Sequence, residues 1–348
     1  MEVQSMIHTA EALVAPGKGI LAADESTPTM AKRLAGIGLE STEQRRRAYR
    51  QILFTTEGLS ESISGVILYD ETIRQRADDG TPVPELLRRQ GLIPGIKVDG
   101  GPKPLAGFPD EVVTEGLDGL RGRLEEYASL GARFAKWRAV IRIGGTRPTA
   151  TCIEANAHAL ARYAALAQET GLTPIVEPEV LMDGTHSLER CAEVTLETLR
   201  AVYEQLSHHR IVLAASLLKP NMILPGKDCA DQASDDEIAE STIRVMREAV
   251  PAAVPGLVFL SGGQTDEQAT ARLDALNRRM PQPWQLSFSF GRALQAPVLR
   301  AWAGDDANRG AAQAALLHRA ELNSAARCGS YHAEMETSGL GQRESVRL

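Results

Sequence analysis

Short apolar runs alternate with longer amphipathic stretches along most of the chain. Eight runs stand out: 19–24 (GILAAD), 63–69 (ISGVILY), 93–98 (IPGIKV), 133–140 (RFAKWRAV), 173–180 (TPIVEPEV), 210–218 (RIVLAASLL), 256–263 (GLVFLSGG) and 284–290 (WQLSFSF). Most are rich in β-branched or aromatic residues and too short for typical helices, so they predict strands. Their near-continuous apolar character fits strands buried on both faces of a parallel sheet. Between them, Ser41/Gln44, Ser234/Glu237 and Thr265/Gln268 fit the capping-box pattern ahead of periodic stretches. Further helices are expected near 115–130, 151–170, 187–207 and 305–328. Alternating strands and helices imply an α/β fold with a parallel sheet. Eight of them imply closure into a single (β/α)8 TIM barrel rather than an open sheet. The expected organisation is one catalytic barrel domain over residues 1–328, with an N-terminal helix as an extension. A mobile C-terminal tail is expected over 329–348, where glycines and polar residues replace periodicity.

Composition narrows the class. Of 348 residues, 43% are hydrophobic and 24% charged, which fits a soluble globular enzyme and excludes a disordered chain. The longest mainly apolar stretch, 211–218, is far short of the ~20 residues a membrane helix needs, so no membrane association is expected. No apolar segment at the N-terminus reads as a secretory signal. Four widely spaced cysteines without a CxxC pair fit free thiols in a reducing cytoplasm. A net charge of −7 argues against a general nucleic-acid binder, but not against an anionic small substrate held by local cations. Of 38 basic residues only seven are lysines: Lys18, Lys32, Lys97, Lys103, Lys136, Lys219 and Lys227. A desolvated lysine can become a nucleophilic amine and arginine cannot, so the location of each lysine matters.

In a barrel of this kind, chemistry comes from the C-terminal ends of strands and the loops that follow. Asp24 ends the first run and Lys97 lies near the end of the third. Lys136 and Arg138 lie within the fourth, and Glu177 and Glu179 within the fifth. Lys219 follows the sixth, Ser261 is near the end of the seventh, and Arg292 follows the eighth. Residues at i and i+2 share a strand face, so Lys136/Arg138 form a cationic pair and Glu177/Glu179 an acidic pair. Such charges are either a structural ion-pair network at the barrel mouth or catalytic groups, since buried charge is costly unless paired or used. Glu179 and Arg138 fit a supporting role as well as a direct one.

Lys219, in AASLLKPNM, has the strongest setting for chemistry. Desolvation and a nearby cation disfavour the charged form of an amine, which is the condition for Schiff-base chemistry on a carbonyl. Glu177 on the neighbouring strand is placed to shuttle protons. Ser261-Gly262-Gly263, with Gly291-Arg292 after the next strand, is either a phosphate site or an ordinary glycine turn. Ser26, Thr29, Lys32 and Arg33, near Lys97, are either a second anion site or a capped helix start. No metal is expected: the seven histidines show no HExxH spacing, and only His186 falls in a loop after a strand.

The motifs GKGILAADEST, GIKVDGG, FAKWRAVIRI, PIVEPEVLMDG, LLKPNMILPGK, FLSGGQTDEQAT and LSFSFGRALQAPVLRAW resemble class I fructose-bisphosphate aldolase, in order, from about residue 3 to 331. The resemblance implies a (β/α)8 barrel and a reversible cleavage of fructose 1,6-bisphosphate. It also implies sugar phosphates as ligands, no cofactor, no metal and a homo-oligomer, a tetramer. By resemblance Lys219 is the amine that attacks C2, and Glu177 is the general acid/base. Asp24 contacts the C4 hydroxyl, and Lys136 is the cation beside Lys219. Ser261, Gly262, Gly263, Ser289, Gly291 and Arg292 match positions around the C1 phosphate. Ser26, Thr29, Arg33 and Lys97 match the other phosphate end, with Arg138 among the substrate contacts and Glu179 in support.

Departures are local. Many relatives read LEGTLLKPNM where this chain reads LAASLLKPNM, so Ala214 replaces an acid and Ser216 a threonine. Thr29 stands where many have serine. Animal relatives end in a tyrosine that assists proton exchange, and this chain ends Ser345-Val346-Arg347-Leu348. Two other readings are open. An aldolase for a singly phosphorylated sugar does not need the second anion set, and a catalytically dead barrel does not need Lys219, Glu177, Asp24 and Lys136 together.

Overall fold

The computed structural model describes residues 2–338. Ten strands form: β1 Gly19–Ala22, β2 Ile63–Leu68, β3 Ile93–Lys97, β4 Pro102–Pro104, β5 Val112–Thr114, β6 Phe134–Ile141, β7 Thr173–Val180, β8 Leu217–Leu218, β9 Gly256–Phe259 and β10 Gln285–Phe290. Eight of them close a parallel barrel in the order β1, β2, β3, β6, β7, β8, β9, β10, with β10 returning to β1. The barrel strands match the eight apolar runs. The sixth departs most: of 210–218 only Leu217–Leu218 is strand, and Leu213–Ala215 is a short 3-10 turn. Arg210 adopts a left-handed backbone with φ 57°. The Gln168 side chain bonds the N–H and C=O of Val212, at 3.0 and 2.9 Å, in place of a neighbouring strand.

Strands buried on both faces need covering from two sides. Outside, the helices Ala150–Glu169, Leu188–His208, Asp235–Ala249, Asp266–Asn277, Arg292–Trp302 and Arg309–Arg327 supply it. Inside the barrel, Ile20, Ala22, Ile67, Phe134, Ile175, Leu217 and Val258 pack with Ala10, Leu13 and Val14. These last three come from the helix Glu2–Leu13 and its exit. The N-terminal helix therefore plugs the pole where the strands begin, leaving the opposite pole open. A fully buried side chain of this size contributes about 2–3 kcal/mol.

The capping boxes at Ser234/Glu237 and Thr265/Gln268 are present in both directions. The one expected at Ser41 is displaced: Thr42 caps the helix Glu43–Phe54, accepting from Arg45 N at 3.2 Å. Ser41 Oγ instead accepts from the Arg46 guanidinium at 3.1 Å. Strands β4 and β5 form an antiparallel hairpin after β3 that the apolar pattern does not reveal.

Ordered packing also continues past the expected tail boundary at 328. Tyr331 is buried, its N–H donates to Asp274 Oδ1 at 2.9 Å, and its hydroxyl donates to Glu336 Oε1 at 2.8 Å. Glu336 is paired with Arg319 at 2.5 Å. The remainder of that expected tail, 339–348, lies outside the described residues. Among the described residues no helix is long and apolar enough to cross a membrane.

Candidate active site

Strand ends deliver the charged groups. Lys219 follows β8, and its N–H donates to Val176 O of β7 at 2.8 Å, which fixes its backbone beside Glu177. Glu177 and Glu179 share one face of β7, and Lys136 and Arg138 one face of β6. The parallel register places Arg138 beside Glu177. Asp24 lies just beyond β1.

These side chains form an alternating chain of charge. Lys219 Nζ lies 3.1 Å from Glu177 Oε1, and Lys136 Nζ lies 3.1 Å from Glu177 Oε2. The same Lys136 Nζ lies 2.7 Å from Asp24 Oδ2. The Lys219, Glu177 and Lys136 side chains are 5%, 4% and 3% exposed, so the attraction between them is little screened by solvent. Burial pushes the Asp24 carboxyl up, but the charges of Lys136 and Lys219 outweigh it and hold the group down at about 2. Burial likewise raises Glu177, and Lys136, Lys219 and Arg138 lower it by more, so it is held below the usual carboxylate range. Burial opposes charge on Lys136, while Asp24, Glu177 and Asp99 raise its pKa above the ordinary lysine value. Glu177 is therefore a carboxylate held between the side-chain nitrogens of Lys219 and Lys136. Lys219 meets this acid rather than a bare cation.

A second layer lies beside the first. Arg138 is ion-paired with Glu179. Lys97 Nζ lies 2.6 Å from Asp99 Oδ1, and Asp99 Oδ2 accepts from Arg138 N at 3.1 Å. Arg33 pairs with Glu25 at 2.6 Å. Ser26 precedes the helix Thr27–Ala35 but makes no capping bond; its hydroxyl lies 3.1 Å from that of Thr29.

Across the mouth, Ser261, Gly262 and Gly263 follow β9. Gly263 has φ 76°, and a Cβ there would fall 2.1 Å from Met182 Cγ, so only glycine fits. Gly291 precedes the helix Arg292–Trp302 without a side-chain cap, and Arg292 Nη2 donates to Gln264 O at 3.2 Å. Ser289 Oγ is buried and has no hydrogen-bond partner among the described residues, an arrangement suited to a ligand.

Every residue assigned to the catalytic or phosphate-binding sets, and Lys32, lines one open cavity of about 1060 Å³, whereas Lys18, Lys103 and His186 do not. The structure brings the assigned residues together. It also adds Asp99, Glu25, Tyr69 and Asp183 to the lining, and places Lys227 of the seven lysines there. Asp99 carried a signal, because it stands two residues after Lys97 in GIKVDGG. Among the described residues no cluster of three or more His, Cys, Asp or Glu side chains could hold a metal ion.

A family model described as fructose-bisphosphate aldolase class-I matches residues 5–347. A probable fructose-bisphosphate aldolase class 1 from Xanthomonas campestris is 57% identical over 95% of this chain and 99% of its own. Cytosolic fructose-bisphosphate aldolase 6 from Arabidopsis thaliana is 50% identical over 99% of this chain and 96% of its own. Among solved structures, a fructose-bisphosphate aldolase from Plasmodium falciparum, bound to TRAP and a small-molecule inhibitor, superimposes with a TM-score of 0.94. It is 47% identical, and the match covers 95% of this chain and 96% of that one.

Proposed function

The chain belongs to the class-I fructose-bisphosphate aldolase family, and from that premise we propose which of its side chains carries each step. The reaction is the reversible cleavage of fructose 1,6-bisphosphate to dihydroxyacetone phosphate and glyceraldehyde 3-phosphate through a lysine Schiff base, in glycolysis.

The observation that carries the assignment is the single buried carboxylate of Glu177 between Lys219 and Lys136, at 3.1 Å from each. Glu177 takes a proton from the Lys219 ammonium, and the freed amine attacks C2 of the ketone. One proton of the added nitrogen passes to the C2 alkoxide to complete the carbinolamine, and the same carboxyl then returns its proton to that hydroxyl, which leaves as water and yields the protonated imine. Lys136 remains charged beside it and keeps Glu177 and Asp24 ionised between turnovers. Asp24, held at about 2, accepts a hydrogen bond from the C4 hydroxyl and orients it rather than storing its proton. That proton passes to Glu177 as the C3–C4 bond breaks. The bond's electron pair moves into the imine to give an enamine, and glyceraldehyde 3-phosphate leaves. Protonation at C3 and hydrolysis release dihydroxyacetone phosphate and restore Lys219.

The C1 phosphate is placed at Ser261, Gly262, Gly263, Ser289, Gly291 and Arg292. The unpartnered Ser289 hydroxyl supports this. The second phosphate is placed at Ser26, Thr29, Arg33 and Lys97, where the uncapped Ser26 supports it. There Glu25 and Asp99 neutralise the two cations until substrate arrives. Glu179 steadies Arg138 at the substrate's flank. Relatives named cytosolic support a cytoplasmic location. A homo-tetramer rests on the family resemblance.

Reduction with borohydride in the presence of dihydroxyacetone phosphate tests the central step. The added mass is expected on the peptide containing Lys219, and Lys219→Arg should abolish it. Label on another lysine with Lys219 unmodified would overturn the assignment.

A further inference from the structure

Lys227 is one of the few lysines in an arginine-biased chain, and the roles above leave it unused. It stands at the cavity wall, against the glycine loop that follows β9. Its Cε is 3.4 Å from the point that a Cβ on Gly263 would occupy. Lys227 and Arg292 both line the substrate cavity and the adjoining cleft of about 400 Å³, with Gly263 common to the two. The backbone fixes this position. Gly226 N donates to His186 O at 2.8 Å, Lys227 N to Met182 O at 2.8 Å and Asp228 N to Gly184 O at 3.0 Å. The loop carrying Lys227 is thus zipped onto the loop after β7, whose Met182 fills the space above Gly263.

The end of the Lys227 side chain is less constrained. Nζ rests 2.8 Å from Asp183 Oδ1, and the two side chains are 46% and 64% exposed. A pair this exposed is held weakly. Asp183 lines the same cavity, so its carboxylate also repels an anion bound there. A phosphate dianion at Gly262-Gly263 competes for the ammonium with more charge and more acceptor oxygens than one carboxylate. We propose that Lys227 is a second cation of the C1-phosphate site, resting on Asp183 in the free enzyme and passing to the phosphate when substrate binds. This rests on the reading of the loop after β9 as that phosphate site. It makes Lys227 a determinant of preference for phosphorylated ketones, with Asp183 as its internal competitor.

The test is borohydride trapping of the Lys219 imine at graded ketone concentrations. Dihydroxyacetone phosphate is compared with dihydroxyacetone, which lacks the phosphate. Lys227→Met is expected to raise the half-saturating concentration of the phosphorylated ketone about three- to tenfold, the effect of losing one partly exposed charge-assisted contact. It should leave dihydroxyacetone unchanged, and Lys227→Arg should recover most of the loss. Asp183→Asn should move the phosphorylated ketone the other way, to tighter binding. If Asp183→Asn weakens it as Lys227→Met does, the pair is a structural clasp and the proposal is wrong. Equal shifts on both ketones, or none, overturn it too. Absence of any trapped imine on wild-type Lys219 would instead defeat the assignment of the reaction, so the two failures are told apart in one experiment.

Discussion

At Asp24, two lysines decide the behaviour of one acid. Its carboxyl is held at about 2 against an ordinary value of 3.8, because Lys136 and Lys219 outweigh the cost of burial. A carboxylate whose folded pKa is depressed adds stability that is fully present above the unfolded value. That stability is lost as pH falls from 3.8 towards about 2, where the folded group takes up its proton. Glu177, also held low, contributes with the same sign below its ordinary 4.5. Asp24→Asn is therefore expected to destabilise the enzyme at neutral pH by about 2 kcal/mol and to flatten the acid side of its stability profile. Urea unfolding of both proteins, repeated from pH 7 into acid, should give free energies that converge as Asp24 protonates. A gap that stays constant with pH would assign the loss to packing instead. These residues could be read from the sequence because period-2 spacing and strand ends mark them one by one. Their pairing could not. Nothing local says that Arg33, nominally a phosphate ligand, spends the free state on Glu25 at 2.6 Å.

Elements fit together here through small residues facing large ones. Gly95 of β3 is the register partner of Phe134 on β6, and a Cβ on Gly95 would lie 2.2 Å from Phe134 Cζ. A Cβ on Gly19 of β1 would likewise lie 2.4 Å from the Phe288 ring of β10. Neither glycine has a left-handed backbone, so each is required for space rather than conformation. Gly95→Ala is expected to cost about 1–3 kcal/mol by overpacking, and Phe134→Leu in the same chain should return part of it. Thermal unfolding of the two variants measures this, and an additive double variant would count against contact between the two sites. The apolar runs disclosed the barrel because buried parallel strands leave a nearly continuous apolar signature, as in 63–68, whose residues are all buried. The same signature misled at 210–216, where the apolar residues belong to a turn packed under the N-terminal helix. The hairpin of β4 and β5 gave no signal, because Pro102, Lys103 and Pro104 are exposed and need no apolar pattern. The cap at Thr42 in place of Ser41 reflects a choice between adjacent hydroxyls that tertiary contacts make, here the demand of Arg46.

At the scale of the molecule, the barrel has a chemical pole and a structural pole, and Arg327 belongs to the second. It lies at the end of the helix Arg309–Arg327 and is 6% exposed. Its guanidinium donates to Leu286 O and Val14 O, both at 2.7 Å, to Lys18 O at 3.2 Å and to Gln285 Oε1 at 2.9 Å. Those acceptors lie at the exit of the N-terminal helix, just before β1 and at the start of β10. One side chain thus ties the last long helix to the first helix and closes the barrel where its first and last strands meet. None of these partners is an acid, and burial pushes the guanidinium down to about 10, so it remains charged at neutral pH. The sequence offered no sign of this, since Arg327 is one of 31 arginines in an amphipathic stretch. Arg327→Met should leave several buried carbonyls short of a donor and cost about 2–4 kcal/mol. Arg327→Lys should rescue little, because a single ammonium cannot span the fork. The site lies at the other pole, built from the opposite ends of the strands, so the loss should be confined to stability. The expected result is a lowered Tm for both variants, with kcat/KM for fructose 1,6-bisphosphate unchanged well below it. A fall in kcat/KM at unchanged Tm would mean that strain at the closed pole reaches Lys219 through the strands, and that the two poles are not independent.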